Sequence, residues 1–304
     1  MAFFSFSLLK DPIIYLSNQI EPNQKFFSKD LALWKELNNR NKKKQICLLN
    51  YENRVKLNRL SNKILICLPP RFGLGDAVEY SIAIKSIIES NKFLKIGIAF
   101  CGDHLFVFKD LFSFSNIYPL LISDKEILKY DTIFHITLEI EALKFQKYKR
   151  SNIVNEICKY FDISVVDFKI NKKKILNKNI KEIAIFPIST SVIRNLHYSV
   201  IKKIINKFQN LYHFKIFIDD SDFSKHLEEK NTNINCVFIN PKDIKTLILE
   251  IEKIDFGIFV DSGPLHIGKI FDKKGILIET SVISKILLSN SKNIIPIKNM
   301  YKSD

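Results

Sequence analysis

The stretch FGIFVDSGPLHIGKIF, residues 256–271, decides the fold, because an apolar strand runs here directly into a tight turn. The run at 256–260 is typical of a strand that is buried on both faces of a sheet. The turn DSGP, residues 261–264, then opens an amphipathic helix that carries His266. A strand followed at once by a helix predicts an α/β unit with a parallel sheet, whose ligands bind beyond the carboxyl ends of the strands.

The polar groups of this turn have an ordinary and a functional interpretation. Pro264 suits the first helical position, so Ser262 or Gly263 is expected to cap the helix. In the ordinary interpretation Asp261 is a capping carboxylate and His266 a half-buried histidine bonded to backbone. The free amides of a first helical turn also attract anions. The concentration of these groups at one strand end favours a binding site.

Length and composition restrict the classes of protein that fit the chain. Its 304 residues, 46% of them hydrophobic, are enough for two domains with buried cores. The formal charge of +15 fits a nucleic acid, an acidic membrane surface or a phosphorylated substrate. The phenylalanines stand mostly in apolar runs and are not interleaved with arginines, as single-strand binding requires. We therefore expect no nucleic-acid partner.

The cysteines predict neither disulfides nor a metal site. They number five, at positions 47, 67, 101, 158 and 236, with no C-x-x-C pair. We expect small buried apolar side chains in a reducing cytosol, and no set of His, Cys and carboxylates has the spacing of metal ligands. Since no run reaches the roughly 18 apolar residues of a membrane span, a soluble cytoplasmic protein is predicted. The N-terminal aromatics and lysines leave a shallow contact with an anionic membrane face open.

Strands and helices alternate along the chain and then start again. The first series begins at Lys63, and a lysine- and asparagine-rich linker is predicted at 169–182 before the second series. Strands separated by helices imply parallel sheets with right-handed crossovers. The prediction is an α/β protein of two Rossmann-like domains that face each other across a cleft. Its parts are an N-terminal extension at 1–60, with one short helix at 28–44, and domains at 61–170 and 171–304.

A second polar turn, PPRFGLGDAVE at 69–79, follows the first strand of the first series. Gly73 and Gly75 let the backbone approach a ligand closely. Asp76 at the helix start, with Glu79 three residues later, has the spacing of a capping box. A capping carboxylate that points into the cleft can also serve as a general base.

A third polar turn, FPISTSVIRNLH at 186–197, follows the first strand of the second series. Ser189 and Thr190 offer hydroxyl and amide donors there. Arg194 offers a planar guanidinium that suits phosphate. Taken alone, the stretch is typical of a serine-rich surface turn with an exposed arginine.

Together the three turns resemble those of glycosyltransferase family 9, the lipopolysaccharide heptosyltransferases. The segments that carry the resemblance are GLGDAVEYSIAIKSI, FPISTSVIRNL and FVDSGPLHIGKIF, and their order and spacing fit over roughly residues 63–280. The last segment is specific, the first moderately so, and the second weak. The resemblance implies the two-domain GT-B fold and transfer of a sugar from an ADP-heptose-like donor to a lipid-linked saccharide. No metal and no cofactor are implied.

The resemblance also implies roles for individual residues. Asp76 would be the base that deprotonates the acceptor hydroxyl, and Arg194 would lie on the donor phosphates. Asp220 or Asp222 would hold the ribose. The implied donor-binding set is Ser189, Thr190, Arg194, Asp261, Ser262, Gly263 and His266.

The chain departs from the family pattern on the nucleotide side. PIST replaces a Pro-Gly turn, Leu196 stands where an aromatic is expected, and IDDSDFSKHLEE replaces a glycine pair with an acid. These departures keep a second hypothesis open, a catalytically silent relative that binds a nucleotide or glycan as a scaffold. A third, a two-domain epimerase, fits the architecture but not the Asp-Ser-Gly-x-x-His turn.

Overall fold

A computed structural model of the chain describes residues 25–28, 45–48, 56, 62–69, 72–119, 122, 124–136, 152–170, 180–230, 235–280, 284–288 and 291–298. The chain divides into two compact units. The first comprises Met1–Phe72 and Tyr80–Val166, and the second Gly73–Glu79 and Asp167–Asp304. Among the residues so described, no helix has the length and apolar character needed to cross a bilayer.

The first unit contains a parallel six-stranded sheet. Its strands are β1 (Lys25–Ser28), β2 (Gln45–Leu48), β3 (Lys63–Cys67), β4 (Lys95–Ala99), β5 (Asn116–Tyr118) and β6 (Thr132–His135). They lie in the order β2-β1-β6-β3-β4-β5. The helices along this part of the chain are α1 (Leu74–Ser90), α2 (Asp124–Ile127) and α3 (Ile153–Tyr160), with a π-helix at Val107–Leu111. The first residues of α1 count with the second unit.

The second unit contains another parallel six-stranded sheet. Its strands are β7 (Glu182–Phe186), β8 (His213–Phe217), β9 (Cys236–Ile239), β10 (Phe256–Phe259), β11 (Lys274–Ile278) and β12 (Ile294–Ile297). Its helices are α4 (Tyr198–Phe208), α5 (Asp222–Lys230), α6 (Ile244–Lys253), α7 (Gly263–Ile270) and α8 (Ser284–Leu287), with a 3-10 turn at Val192–Arg194. The strand order is β12-β11-β10-β7-β8-β9.

The central strands form the core because their sequences are apolar at nearly every position. In β3, β7 and β10 all residues after the first are buried, as expected of strands covered on both faces. In the second unit the isoleucines of β7 pack with those of α4, and Ile201 and Ile205 are fully buried. Burial of one such side chain stabilises the fold by roughly 1.5–3 kcal/mol. The paired strands and helices thereby fix where each strand ends.

The strand order of the second sheet places a crevice at the ends of β7 and β10. From β7 the chain proceeds outward through β8 and β9, then returns to the other side of β7 with β10, β11 and β12. Where the direction of winding reverses, the connections after two neighbouring strands leave toward opposite faces of the sheet. Ligands of open α/β sheets bind at this position, beyond the carboxyl ends of the strands.

The structure differs from the prediction for the N-terminal residues and for the boundary between the units. The predicted extension at 1–60 contains β1 and β2, which are strands of the first sheet. Four-residue strands offer too few positions for a periodic pattern, so they escaped prediction. Ser28, the first residue of the helix predicted at 28–44, is the last residue of β1, and the rest of that prediction, 29–44, lies outside the described residues, as do 171–179 of the predicted linker. The units divide after Val166, not after 170.

Candidate active site

The ends of β7 and β10 bring two of the predicted turns into direct contact. Ser189, which follows β7, donates its hydroxyl to the backbone carbonyl of Asp261 at 2.9 Å. Arg194 donates from Nη1 to Oδ2 of Asp261 at 3.1 Å, and the Asp261 side chain is only 8% exposed. A buried carboxylate needs a charged or hydrogen-bonding partner, and Arg194 supplies it. One of the five guanidinium donors of Arg194 is thus engaged within the protein.

The turn after β10 leads into the N-terminus of α7. Ser262 is the N-cap residue, in an extended conformation, and Pro264 lies in the first turn. The Ser262 hydroxyl lies 3.4 Å from the carbonyl of Val260 and does not cap the helix. Pro264 has no amide hydrogen, and the Leu265 amide donates to the Ser262 carbonyl at 3.1 Å, so this helix start offers the crevice the Gly263 amide and the positive end of the helix dipole.

Asp76 lies in the first turn of α1, two residues later in that helix than the sequence predicts. Since α1 begins at Leu74, Asp76 is the third helical residue, and its Oδ2 accepts a hydrogen bond from the amide of Gly73 at 2.8 Å. This is the returning half of a capping box. Burial raises the pKa of Asp76, the Gly73 amide and His266 act in the opposite direction, and Glu79 adds to the rise.

Two glycines bring the first turns of α1 and α7 into close contact. A Cβ on Gly75 would lie 2.6 Å from Cδ2 of His266, and a Cβ on Gly263 would lie 2.7 Å from Cβ of Leu74. Real Cβ atoms do not approach other atoms so closely, so both positions require a residue without a side chain. The resemblance places Gly263 in the donor-binding set, and in the structure its immediate neighbour is the Leu74 side chain.

His266 lies between the contact with Gly75 and a buried carboxylate. Its side chain and that of Glu79 are 9% and 7% exposed, and 3.4 Å separates Nδ1 from Oε1 of Glu79. Glu79 is one turn after Asp76 on α1. Sequence reasoning noticed Glu79 as part of a capping box but missed this pairing, because the partner is distant in the chain.

The acids after β8 are distributed differently from the prediction. Asp220 is exposed and interacts with Asn240 and Lys242, and Asp222 is exposed at the start of α5. Asp219 lines the cavity described next. The carboxylate of Asp219 is fixed by its neighbours, since Oδ1 accepts from the amide of Ser221 at 3.0 Å.

The hydroxyl of Ser224 also reaches the Asp219 carboxylate, at 2.6 Å. Partial burial raises the pKa of Asp219, but the hydrogen bonds from Ser221 and Ser224 outweigh burial and lower it. Asp219 is therefore an ionised, oriented hydrogen-bond acceptor. Nothing in the stretch IDDSDF distinguishes it from its neighbours except that it comes first after the strand.

A cavity of about 570 Å³ in the second unit collects most of these groups. One part is polar and lies at the first turns of α1 and α7 and the turn after β7. The other part is apolar and lies between the ends of β7 and β8 and the start of α6. The lining residues are Gly73, Leu74, Gly75, Asp76, Phe186, Ile188, Ser189, Thr190, Arg194, Phe217, Ile218, Asp219, Pro241, Asp243, Ile244, Leu247, Asp261, Ser262, Gly263, Pro264 and His266.

The cavity contains every predicted site residue except Asp220 and Asp222. Thr190 lies at its exposed edge, whereas Asp261, Ser262 and His266 are buried in its wall. Within the ranges that the structure describes, no three His, Cys, Asp or Glu side chains group as ligands of a metal ion. The volume is within the range of cavities that hold small-molecule ligands.

Comparison with known proteins identifies the fold. No family model and no curated protein sequence matches the chain. Solved structures do match it, among them the E. coli heptosyltransferase WaaC with ADP, at a TM-score of 0.54 and 11% identity over 78% of this chain and 93% of that one. The chain has the fold of these glycosyltransferases.

Two further structures agree with this assignment. A glycosyltransferase family 9 protein from Veillonella parvula matches with a TM-score of 0.57 and 11% identity, over 83% of this chain and 90% of its own. The E. coli ADP-heptose lipopolysaccharide heptosyltransferase II matches with a TM-score of 0.57 and 10% identity, over 77% and 90%. The predicted resemblance to family 9 heptosyltransferases is thereby confirmed at the level of the fold, as is the prediction of an α/β protein with parallel Rossmann-like sheets.

Proposed function

We propose that this chain is an inverting glycosyltransferase that moves a heptose-like sugar from an ADP-sugar to a hydroxyl of a lipid-linked saccharide, such as lipopolysaccharide core. One observation carries the proposal. Asp76, a half-buried carboxylate with a raised pKa, lines the same cavity as the N-terminus of α7. A base and an anion-attracting helix end in one cavity are the parts that sugar transfer from a diphosphate requires. The fold shared with heptosyltransferases supports the donor class.

The reaction is a single displacement. The acceptor hydroxyl oxygen attacks the anomeric carbon and forms the new glycosidic bond, while its proton passes to the Asp76 carboxylate. The bond between the anomeric carbon and the diphosphate oxygen breaks, and the oxygen keeps the electron pair. Attack opposite the leaving group inverts the anomeric centre. The raised pKa of Asp76, caused mainly by burial, makes it a stronger base than an exposed carboxylate.

The donor spans the two parts of the cavity. The apolar part, with Phe186, Phe217 and Leu247, suits the faces of a nucleobase. The Asp219 carboxylate accepts hydrogen bonds from the ribose hydroxyls. The diphosphate lies at the first turn of α7, where the Gly263 amide and the helix dipole stabilise the negative charge that develops on the leaving group. Arg194 neutralises part of that charge from the edge of the crevice.

The acceptor and the cellular location follow from the same proposal. A lipid-linked acceptor requires the enzyme to work at a membrane face, and the net charge of +15 favours anionic lipid and phosphorylated saccharide. The enzyme acts in the cytoplasm, peripherally at the inner face of the cytoplasmic membrane, and without a metal ion.

The substitution Asp76→Asn tests the proposal. Because an amide cannot take up the proton, transfer from ADP-heptose should fall by roughly 10²- to 10⁴-fold. Asparagine retains the oxygen that accepts from the Gly73 amide, so the helix start should persist. Asp222→Asn is the matched control, since Asp222 is an exposed acid in the first turn of α5. Wild-type transfer by Asp76→Asn in a labelled-sugar assay would exclude Asp76 as the base.

The difference in stability between the wild type and this variant should depend on pH in a defined sense. The pKa of Asp76 is higher in the folded chain than in the unfolded chain, so the folded state holds the proton more tightly. Stability therefore falls as pH rises from the unfolded pKa through the folded one. Asp76→Asn lacks this loss and should be more stable than wild type at pH 7, with the difference vanishing below the unfolded pKa. Denaturant titrations at several pH values measure it.

A catalytically silent relative that binds nucleotide as a scaffold is the second candidate. The observation that favours it is the pairing of Arg194 with Asp261, which engages the cation expected on the donor phosphates. Calorimetry with ADP and a hydrolysis assay with ADP-heptose separate the two functions. A scaffold binds ADP and neither hydrolyses nor transfers the sugar, whereas the transferase does both or transfers alone.

A further inference from the structure

A second buried carboxylate lies behind the proposed base. Glu79 is 6% exposed and follows Asp76 by three residues on α1, so both carboxylates lie on one face of the helix. A carboxylate this deeply buried is costly unless opposite charge or hydrogen-bond donors surround it. Glu79 has no role in the single displacement proposed for Asp76.

The side chain that faces Glu79 is the imidazole of His266, which comes from α7. His266 Nδ1 lies 3.4 Å from Oε1 of Glu79, and the opposite edge of the ring, with Cδ2 and Nε2, rests on Gly75, next to Asp76. Nδ1 is fully buried and makes no hydrogen bond to any residue that the structure describes. The 3.4 Å separation from Glu79 Oε1 is slightly longer than an aligned hydrogen bond, so a small rotation of either side chain would form one.

The charged groups around His266 come from three elements. On α1 they are Asp76 and Glu79, on α7 itself Lys269, which follows one turn later, and near Asp76 the guanidinium of Arg194. The ammonium group of Lys269 donates a hydrogen bond to the backbone carbonyl of Leu287 in α8, and burial lowers the pKa of Lys269. Lys269 therefore has its own hydrogen-bond acceptor, and the His266 imidazole contacts Glu79 across the two helices.

We propose that Glu79 is a positioning residue for the transfer reaction. It accepts the Nδ1 proton of His266, fixes the tautomer and the plane of the ring, and so keeps the Nε2 edge beside Asp76 at the polar end of the cavity. The inference rests on the proposed function for its catalytic consequence, but not for the pairing itself. Fixing one ring nitrogen through a carboxylate determines what the other nitrogen presents to the site.

The pairing can be tested without any assay of transfer. In nitrogen-15 spectra of the wild-type chain at neutral pH, His266 should carry its proton on Nδ1, with the signal assigned by its absence from His266→Gln. In Glu79→Gln the amide can donate to Nδ1 as well as accept from it, so the preference for the Nδ1 proton should be lost. Glu89→Gln, an exposed acid at the far end of α1, is the matched control and should leave the spectrum unchanged.

The catalytic consequence has a separate readout. Misplacement of a group in a reaction centre by about 1 Å can cost on the order of a hundredfold in rate, so Glu79→Gln should lower kcat by about that factor with little change in the KM for donor. A bare Nδ1 in the wild type, or His266 signals identical in Glu79→Gln, would overturn the pairing, and the first of these measurements does not require Glu79→Gln to fold. An unchanged kcat would overturn the positioning role. Absence of transfer in the wild type would refute the proposed function and leave the spectroscopic test standing.

Discussion

The contact between Gly75 and His266 allows a quantitative prediction. Gly75→Ala adds a Cβ that would lie 2.6 Å from Cδ2 and 3.0 Å from Nε2 of the imidazole. Unstrained carbon atoms approach to about 3.5 Å, so the ring or the start of α1 must move by roughly 1 Å. Overpacking of this kind costs about 1–3 kcal/mol. Alanine within a helix gains roughly 0.5–1 kcal/mol over glycine, so the net loss of stability should be up to about 2 kcal/mol.

A double-mutant cycle isolates the clash from the helix propensity. With His266→Ala in place, the added methyl has no ring to meet, and Gly75→Ala should stabilise the chain by the propensity gain of roughly 0.5–1 kcal/mol. The difference between the two backgrounds is a coupling free energy of about 1–3 kcal/mol, measured by denaturant unfolding of the four proteins. If the two substitutions add within about 0.5 kcal/mol, the ring does not lie on Gly75 and the argument for the contact is wrong.

Three further predictions concern single residues. Asp219→Asn should weaken ADP binding in calorimetry by roughly 10- to 100-fold, the equivalent of a hydrogen bond to a charged group, whereas Asp220→Asn should not; equal losses would remove the ribose role of Asp219. Arg194→Ala leaves Asp261 buried without its partner, and should lower the unfolding free energy by about 1–3 kcal/mol; an unchanged value would mean that the pair contributes nothing. Cys67 is buried with its pKa raised to about 12, so iodoacetamide at pH 8 should alkylate it in the unfolded chain and spare it in the folded one, and modification of Cys67 in native protein would contradict its burial.

Much of the fold can be predicted from the sequence because the central strands of a parallel sheet are continuous apolar runs, which are easy to recognise. A strand such as β10 is apolar along its whole length, ends in a small polar turn, and is followed at once by the start of α7. In the structure, parallel pairing of β7 with β10 places their carboxyl ends side by side, which brings the turns at 186–197 and 261–264 together. The short strands β1 and β2, and the edge strand β12 with Pro296, carry no such signal.

The contacts inside the site could not be read from the sequence, because they depend on distances between residues far apart in the chain. The pairing of Arg194 with Asp261 spans 67 positions, and that of His266 with Glu79 joins α7 to α1, two helices that are far apart in the sequence. From local spacing, Glu79 was predicted to belong to a capping box, and Asp219 was not predicted as a site residue. Composition along a turn shows which chemical groups are present there, but tertiary packing decides which of them face the cavity.

Four carboxylates line the cavity, and the differences between their environments support the assignment of the base. Asp243 caps α6 by accepting a hydrogen bond from the Thr246 amide, which lowers the pKa of Asp243. Asp261 is engaged by Arg194 in an ion pair, and hydrogen bonds from hydroxyl groups lower the pKa of Asp219, so Asp219 does not readily accept a proton. Asp76 has one backbone donor, and burial together with the nearby Glu79 raises its pKa. Where environments separate the pKa values of neighbouring acids, the acid with the raised value takes the proton-transfer role and the others bind or orient. By that criterion Asp76 is the residue that receives the proton in the proposed reaction, while Asp219 stays ionised and Asp261 orients Arg194.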